Sequence, residues 1–236
     1  MDGPSRGVRL MLPLILGSAY GAAAGAASAG WLRTVAHRLP EEQGLPRRGV
    51  TWVAVATTVF AALVAAGQAT SGTARATVTT LILPVLVLLS AIDIDTRRLP
   101  DRLTLPAGVA GVVGLAVAAA LDGRPATAWR PLAGAVVLAA FYLVNLVIGD
   151  IVGSVAAMGL GDVKFALVLG ALLGAHSWSH VVVATVLAFV SAGVQALVMI
   201  LRGASRRSHL AFGPHMALGA LVVLAAPGLT ELAGAS

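Results

Sequence analysis

The chain has 236 residues, of which 58% are hydrophobic and 11% are charged, and its mean hydropathy is +0.92. Soluble domains carry about 25% charged residues. A chain with less than half that share cannot cover a globular surface with polar groups, so we expect a lipid bilayer around it. The formal charge of +6 comes from basic residues scattered among loop ends, which suits control of membrane topology and not nucleic-acid binding. The lack of cysteine excludes disulfides, thiolate metal sites and a cysteine nucleophile.

Apolar stretches separated by polar interruptions predict an all-α, polytopic bundle of about eight transmembrane helices, because one crossing needs roughly 20 apolar residues. The predicted spans are 10–32, 50–67, 77–95, 103–121, 131–149, 162–175, 180–201 and 210–228. The first run is longer than the apolar core of a cleavable signal, so we expect a retained span. The sixth is short and begins at a polar residue, which is typical of a helix that enters a cavity.

Within the first span, Gly17, Gly21 and Gly25 recur at every fourth position. Small residues at this spacing allow two helices to approach closely. We therefore predict that this face of the first helix packs against another helix and has no role in ligand binding.

Arginine and lysine predict the orientation, because cytoplasmic loops of membrane proteins are enriched in both. With the N-terminus outside, eleven basic residues fall on inward segments and five on outward ones. The inward residues are Arg33, Arg38, Arg47, Arg48, Arg97, Arg98, Arg102, Lys164, Arg202, Arg206 and Arg207, and the outward residues are Arg6, Arg9, Arg75, Arg124 and Arg130. The sequence thus predicts that both termini lie on the outer side of the membrane.

Acidic residues occur at two predicted span ends on this cytoplasmic side. One group begins with Asp93 and Asp95, and the other is Asp162. An ionisable residue at such a position is by default a candidate functional group. Two carboxyl groups brought together share a proton, since like charges about 3 Å apart cannot both ionise, and the pair then titrates as a unit. One carboxylate can draw a proton from water while its protonated partner polarises a scissile carbonyl, which predicts an aspartic protease.

Glycines precede the second acid. Gly159 and Gly161 would permit a positive φ or a close approach of another chain next to Asp162. The alternative is a glycine turn between two helices, with Asp162 as the N-cap of the sixth. A bare Gly-x-Gly-Asp pattern does not decide between these interpretations.

The remaining inward acids have simpler explanations. Asp95 lies two residues after Asp93 and would point to nearly the opposite side of a helix, so we expect it to meet Arg98 or solvent. We also expect Asp95→Asn to retain substantial activity. Asp101 follows Pro100 and is a natural start for the next helix. Asp150 is either a substrate contact or an interfacial residue, and we favour the latter.

Both acidic groups lie in longer motifs that resemble those of the type IV prepilin peptidase family. The first is an aspartate seven residues before a proline, followed by a polar turn and Leu-Thr-Leu-Pro; the second is Gly-x-Gly-Asp, then a hydrophobic residue and a lysine. The matching positions here are Asp93, Pro100, Leu103 to Pro106, Gly159, Gly161, Asp162, Lys164, Gly170, Gly174 and Phe212-Gly213-Pro214. The resemblance implies Asp93 and Asp162 as the catalytic pair, with Gly159, Gly161, Lys164 and Pro100 as supporting positions.

What the resemblance implies about activity is specific. Members cut just after a glycine that precedes the hydrophobic helix of pilin-like or pseudopilin precursors, on the cytoplasmic face, with no metal or cofactor. Other possibilities stay open: another Gly-x-Gly-Asp intramembrane protease, a small proton-coupled transporter, or an inactive subunit of a pilus machine. A transporter would favour acids near mid-span and an internal repeat.

The N-terminal part departs from the family pattern. Trp31 to Pro40 resembles a segment of bifunctional members that also methylate the new N-terminus, yet Arg33 stands where they usually carry asparagine. The inner loop at 33–49 also lacks their paired Cys-x-x-Cys motifs. We therefore predict a reduced methyltransferase-like region at 1–76 and a peptidase domain at 77–236, and we doubt methyl transfer.

The histidines provide no convincing metal site in the sequence. His176 and His180 have ligand spacing, but no third ligand is evident on their side, so an interfacial loop is the favoured interpretation. His215 could lie near the acid pair, and we favour a packing role for it.

Overall fold

The computed structural model describes residues 6–46, 48–68, 72–152, 158–203 and 210–233, and this part of the chain contains eight α-helices and no strand. The helices are α1 (Arg6–Arg33), α2 (Thr51–Gln68), α3 (Thr73–Thr96), α4 (Asp101–Leu121), α5 (Arg130–Ile151), α6 (Leu160–His176), α7 (Trp178–Leu201) and α8 (Gly213–Ala233). Short 3-10 turns occupy Pro40–Glu42 and Pro125–Thr127. Each helix overlaps one predicted span, so the all-α class is confirmed.

The outward faces of several helices are apolar, as a bilayer requires. Ile15 on α1, Val144 on α5 and Val190 on α7 are each more than half exposed. In the described residues, five helices are long and apolar enough to cross a membrane, and two shorter apolar helices cover Thr51–Gly67 and Gly213–Pro227. The five are Met11–Arg33, Thr73–Thr96, Asp101–Leu121, Pro125–Ile151 and Trp178–Leu201. The chain is therefore a multi-pass membrane protein.

Helices α3 and α6 are the most enclosed, and α6 contacts α4, α5, α7 and α8. Phe165 and Leu172 on α6 are completely buried, as is Leu86 on α3. A helix that is apolar on every side is typical of a bundle interior. The polar side chains at the ends of these two helices are therefore enclosed by neighbouring helices.

Glycines allow the closest helix contacts. A Cβ on Gly17 would lie 2.7 Å from the carbonyl oxygen of Ala61, and one on Gly25 would lie 2.8 Å from Ala54 Cα, both on α2. The predicted packing role of the α1 glycines is thus confirmed. Gly174 on α6 approaches Gly134 on α5 in the same way, since its Cβ would lie 2.8 Å from Gly134 Cα.

A tight corner joins α3 to α4. Arg97 adopts a left-handed conformation with φ 54° and ends α3, and its N–H bonds to the carbonyl oxygen of Asp93. Pro100 is the N-cap residue of α4, which begins at Asp101 as predicted. This corner keeps the first acidic group close to the start of the following helix.

Candidate active site

Asp93 lies in the last turn of α3 and is 6% exposed. Its Oδ2 accepts a hydrogen bond from the backbone N–H of Gly213, the first residue of α8, at 3.0 Å. The first N–H groups of a helix lack partners within that helix, so a carboxylate is a favourable acceptor there. The contact fixes the position of Asp93 against an element more than a hundred residues later in the chain.

Asp162 lies in the first turn of α6 and is 9% exposed. Its Oδ2 accepts the backbone N–H of Gly159 at 3.0 Å. The capping interpretation is therefore correct in substance, but wrong in position, because Gly159 is the N-cap residue and Asp162 is the third residue of the helix. This bond leaves the second carboxylate oxygen for other contacts.

Asp93 and Asp162 line the same cavity, which has a volume of about 1720 Å³. Small-molecule sites typically measure 300–1,000 Å³, so this cavity can hold a peptide segment. A shared-proton pair needs two acids that face the same enclosed space, and Asp93 and Asp162 do so.

The two glycines before Asp162 do not adopt unusual backbone angles, and only Gly161 is closely packed. Gly159 has φ −89°, and among the described glycines only Gly72, Gly123 and Gly203 have positive φ. Of the two possibilities that these glycines allow, the structure therefore does not use a positive φ. Close approach does occur at Gly161, where a Cβ would lie 3.3 Å from Leu99 Cβ.

Lys164 joins the two motifs. Its Nζ donates to both carboxylate oxygens of Asp101, at 2.7 and 2.9 Å. The ion pair connects the first turn of α6 to the first turn of α4, immediately after Pro100. It is partly exposed, with 36% of the lysine and 55% of the aspartate side chain accessible.

Asp95 has a different partner from the one predicted. Arg38 binds it with two hydrogen bonds of 2.8 Å, and His37 Nε2 lies 2.8 Å from Asp95 Oδ2. The bond to Asp95 holds the pKa of Arg38 above its ordinary value. The expected contact with Arg98 is wrong, because Arg98 pairs with Glu42 at 3.3 Å instead.

Aromatic residues form one wall of the cavity, and the sequence motifs included only one of them, Phe212. Phe189 and Phe212 line it, with ring centroids 5.2 Å apart. Tyr142 stacks on Phe189 at 6.0 Å and is 1% exposed. Tyr142 and Phe189 are single aromatics on α5 and α7, and Phe212 immediately precedes α8, so no periodic pattern links them and only packing reveals the cluster.

The other polar candidates do not line the cavity that contains the acid pair. His215 bonds to Ser191 and Gln195 across the α7–α8 interface, which agrees with a packing role. Asp150 is exposed near the end of α5 and does not line the cavity. His176 and His180 end α6 and begin α7, and the described residues contain no group of three His, Asp or Glu side chains able to hold a metal ion.

A buried acid pair at one end of an apolar helical bundle, one acid within a Gly-x-Gly-Asp turn, defines a class of membrane proteins with paired aspartates. A model of the type IV leader peptidase family matches residues 80–197, half of the chain, and the protein belongs to this family. Both acids and the corner between α3 and α4 lie within the matched region.

Known proteins are similar to the chain over about 140 residues. The chain is 31% identical over 142 residues to a prepilin leader peptidase/N-methyltransferase of Neisseria gonorrhoeae, covering 60% of this chain and 46% of that protein. Proteins of the same name from Burkholderia pseudomallei and Xanthomonas campestris are 33% and 30% identical, over 59% and 58% of this chain and 43% and 46% of theirs. The matches thus span less than half the length of these relatives. No solved structure matched.

Proposed function

We propose that the protein is an aspartic endopeptidase that removes the leader from type IV pilin-like or pseudopilin precursors, with Asp93 and Asp162 as its catalytic pair. The observation that carries the proposal is that both acids, each buried at a helix end, line the same large cavity. The names of the relatives support the choice of substrate. A proton-relay transporter fits less well, because both acids lie at one end of the bundle.

The chemistry needs only the two carboxyl groups and a water molecule. The ionised carboxylate accepts a proton from water, whose oxygen bonds to the scissile carbonyl carbon, while the protonated partner donates a hydrogen bond to the carbonyl oxygen. Transfer of a proton to the leaving nitrogen then breaks the C–N bond and restores one shared proton. Burial favours this arrangement, because two adjacent negative charges are costly out of water.

We further propose that the cavity opens toward the cytoplasm of a bacterium and that the protein lies in its inner membrane. Arg97, Arg98 and Arg102 border the cavity, and the enrichment of basic residues at this end supports a cytoplasmic side. A precursor whose hydrophobic segment is in the membrane would present its leader on that side. The cut would then fall at the membrane border, where the acid pair lies.

Purified protein in detergent, mixed with a synthetic pilin-precursor peptide that has a glycine before its hydrophobic segment, tests the proposal. Mass spectrometry should show a cut directly after the glycine. Asp93→Asn and Asp162→Asn should each abolish the product, while Asp150→Asn, the same change at an exposed acid outside the cavity, should keep wild-type activity. Normal cleavage by either Asp93→Asn or Asp162→Asn would refute the assignment.

A further inference from the structure

The loop between α1 and α2, called here the 34–50 loop and described at residues 34–46 and 48–50, forms part of the cavity that contains the acid pair. Ala36, His37, Leu39 and Glu42 from this loop line the cavity, as does Trp31 at the end of α1. The family match begins only at residue 80, so it assigns no role to this region. The structure nevertheless gives the loop a place at the site.

Two ion pairs dock this loop onto the α3–α4 corner. Arg38 binds Asp95 through two hydrogen bonds, and the two side chains are 2% and 10% exposed. Glu42 pairs with Arg98 at 3.3 Å. Asp95 and Arg98 flank the end of α3, so the loop is held against the helix end that carries Asp93.

Arg38 also fixes the shape of the loop itself. Its Nη1 donates to the carbonyl oxygen of Leu45 at 2.7 Å, and its Nη2 donates to that of Pro46 at 3.1 Å. Removing the charge of Asp95 would leave a buried guanidinium without its counter-ion, which strongly disfavours the docked arrangement. The Asp95–Arg38 pair therefore controls whether this wall of the cavity is in place.

The walls of the cavity differ in polarity. The loop and the α3–α4 corner contribute His37, Glu42 and Arg97, whereas α7 contributes the apolar Phe189, Met199 and Ile200. A substrate with a hydrophobic segment after the cut and a water-exposed segment before it matches this division. The apolar segment fits the α7 side and the leader fits the loop side.

We propose that Asp95 is a positioning residue which, through Arg38, holds the 34–50 loop as the wall that binds the leader segment of the precursor. The inference rests on the proposed peptidase function and deepens it. It gives the N-terminal region a role in peptide binding that does not depend on methyl transfer. It also differs from the expectation that Asp95→Asn retains substantial activity, because Asp95 binds Arg38 and not Arg98.

Steady-state kinetics with the synthetic precursor peptide tests the role of the ion pair. Asp95→Asn and Arg38→Gln should each raise KM about tenfold and leave kcat within about twofold, because the wall binds substrate without taking part in bond breaking. The double variant should be no worse than either single variant, since both act through one contact. Asp150→Asn should keep wild-type constants. Unchanged KM in the two single variants, or a loss confined to kcat, overturns the inference.

Photo-crosslinking tests the wall with the ion pair intact, so it stays informative if Asp95 variants fail to fold. Leu39 and Leu45 lie on the same loop with similar exposure, 39% and 42%, but only Leu39 lines the cavity. Leu39→benzoylphenylalanine should capture the leader part of the peptide, and Leu45→benzoylphenylalanine should not. Normal cleavage without capture at Leu39 overturns this inference alone, whereas absence of cleavage by the wild-type protein overturns the proposed function.

Discussion

Gly213 donates its backbone N–H to Asp93 Oδ2 over 3.0 Å, across 120 residues of sequence. Gly159 makes a bond of the same length to Asp162 Oδ2. Each acid is therefore oriented by the start of a helix, α8 for the first and α6 for the second. Each of these two N–H groups holds one oxygen of its carboxylate, so the other oxygen of each acid can face water or substrate.

Gly213→Ala should lower kcat for precursor cleavage by about 10- to 100-fold, since small displacements of a catalytic group are that costly. A Cβ at this position would lie 2.8 Å from Asp93 Oδ2, so the carboxylate must move. Gly193→Ala is the matched control, because a Cβ there meets nothing within 4 Å. Wild-type kcat in Gly213→Ala, measured with the same peptide, would contradict a role for this contact.

Hydropathy predicted the helices well because each one coincides with a continuous apolar stretch that is long enough to be recognised in the sequence. The predicted ends are less accurate: α3 begins at Thr73 instead of 77, and α5 extends to Ile151. Asp122 explains the first difference, since its carboxylate accepts the N–H groups of Ala74 and Arg75 at 3.0 Å. Local sequence patterns cannot predict a helix start that is capped by a residue from another helix.

The acids of the site could be nominated from motifs, but their partners could not. Helical periodicity correctly separated Asp95 from Asp93, yet it offered only neighbours such as Arg98 as partners. The actual partner, Arg38, is 57 residues earlier and reaches Asp95 because the α1–α2 loop packs against the end of α3. Tertiary packing, and not local spacing, decides such contacts.

The Lys164–Asp101 ion pair should contribute little to activity despite its place in the motifs. Both side chains are more than a third exposed, and exposed pairs contribute about 0.2–1 kcal/mol. Asp101→Asn should therefore lower kcat/KM by no more than about fivefold, as measured by peptide cleavage. High salt should lower kcat/KM of the wild-type protein by a similar factor. A loss comparable to that of Asp162→Asn would show that Lys164 contacts the substrate or the acid pair.

The orientation can be tested with single cysteines, because the native chain has none. Gly44 on the 34–50 loop has open space around it, and Ala126 lies exposed in the turn between α4 and α5. In intact cells, Gly44→Cys should resist an impermeant thiol reagent and Ala126→Cys should react. Gly123, in the same connection between α4 and α5, is a poorer position for a cysteine, because its φ of 72° disfavours any side chain. Labelling of Gly44→Cys from outside would reverse the proposed orientation.

We also predict cleavage without methylation of the new N-terminus. Arg33, exposed at the end of α1, stands where bifunctional relatives usually carry asparagine, and the 33–49 segment lacks their cysteine motifs. A methyl donor such as S-adenosylmethionine carries a positive sulfonium, which a neighbouring cation repels. Purified protein with the precursor peptide and labelled donor should yield a cleaved product whose N-terminus is unmodified by mass spectrometry.

Arg33→Asn separates the two reasons for this prediction. If charge repulsion alone prevents donor binding, the variant should gain methylation while cleavage stays unchanged; if the loop lacks the necessary pocket, it should remain inactive as a methyltransferase. An arginine near the membrane border can also extend its guanidinium toward water and leave such a pocket accessible. Stoichiometric methylation by the wild-type protein would therefore show that the arginine does so and that this short inner loop is sufficient for methyl transfer.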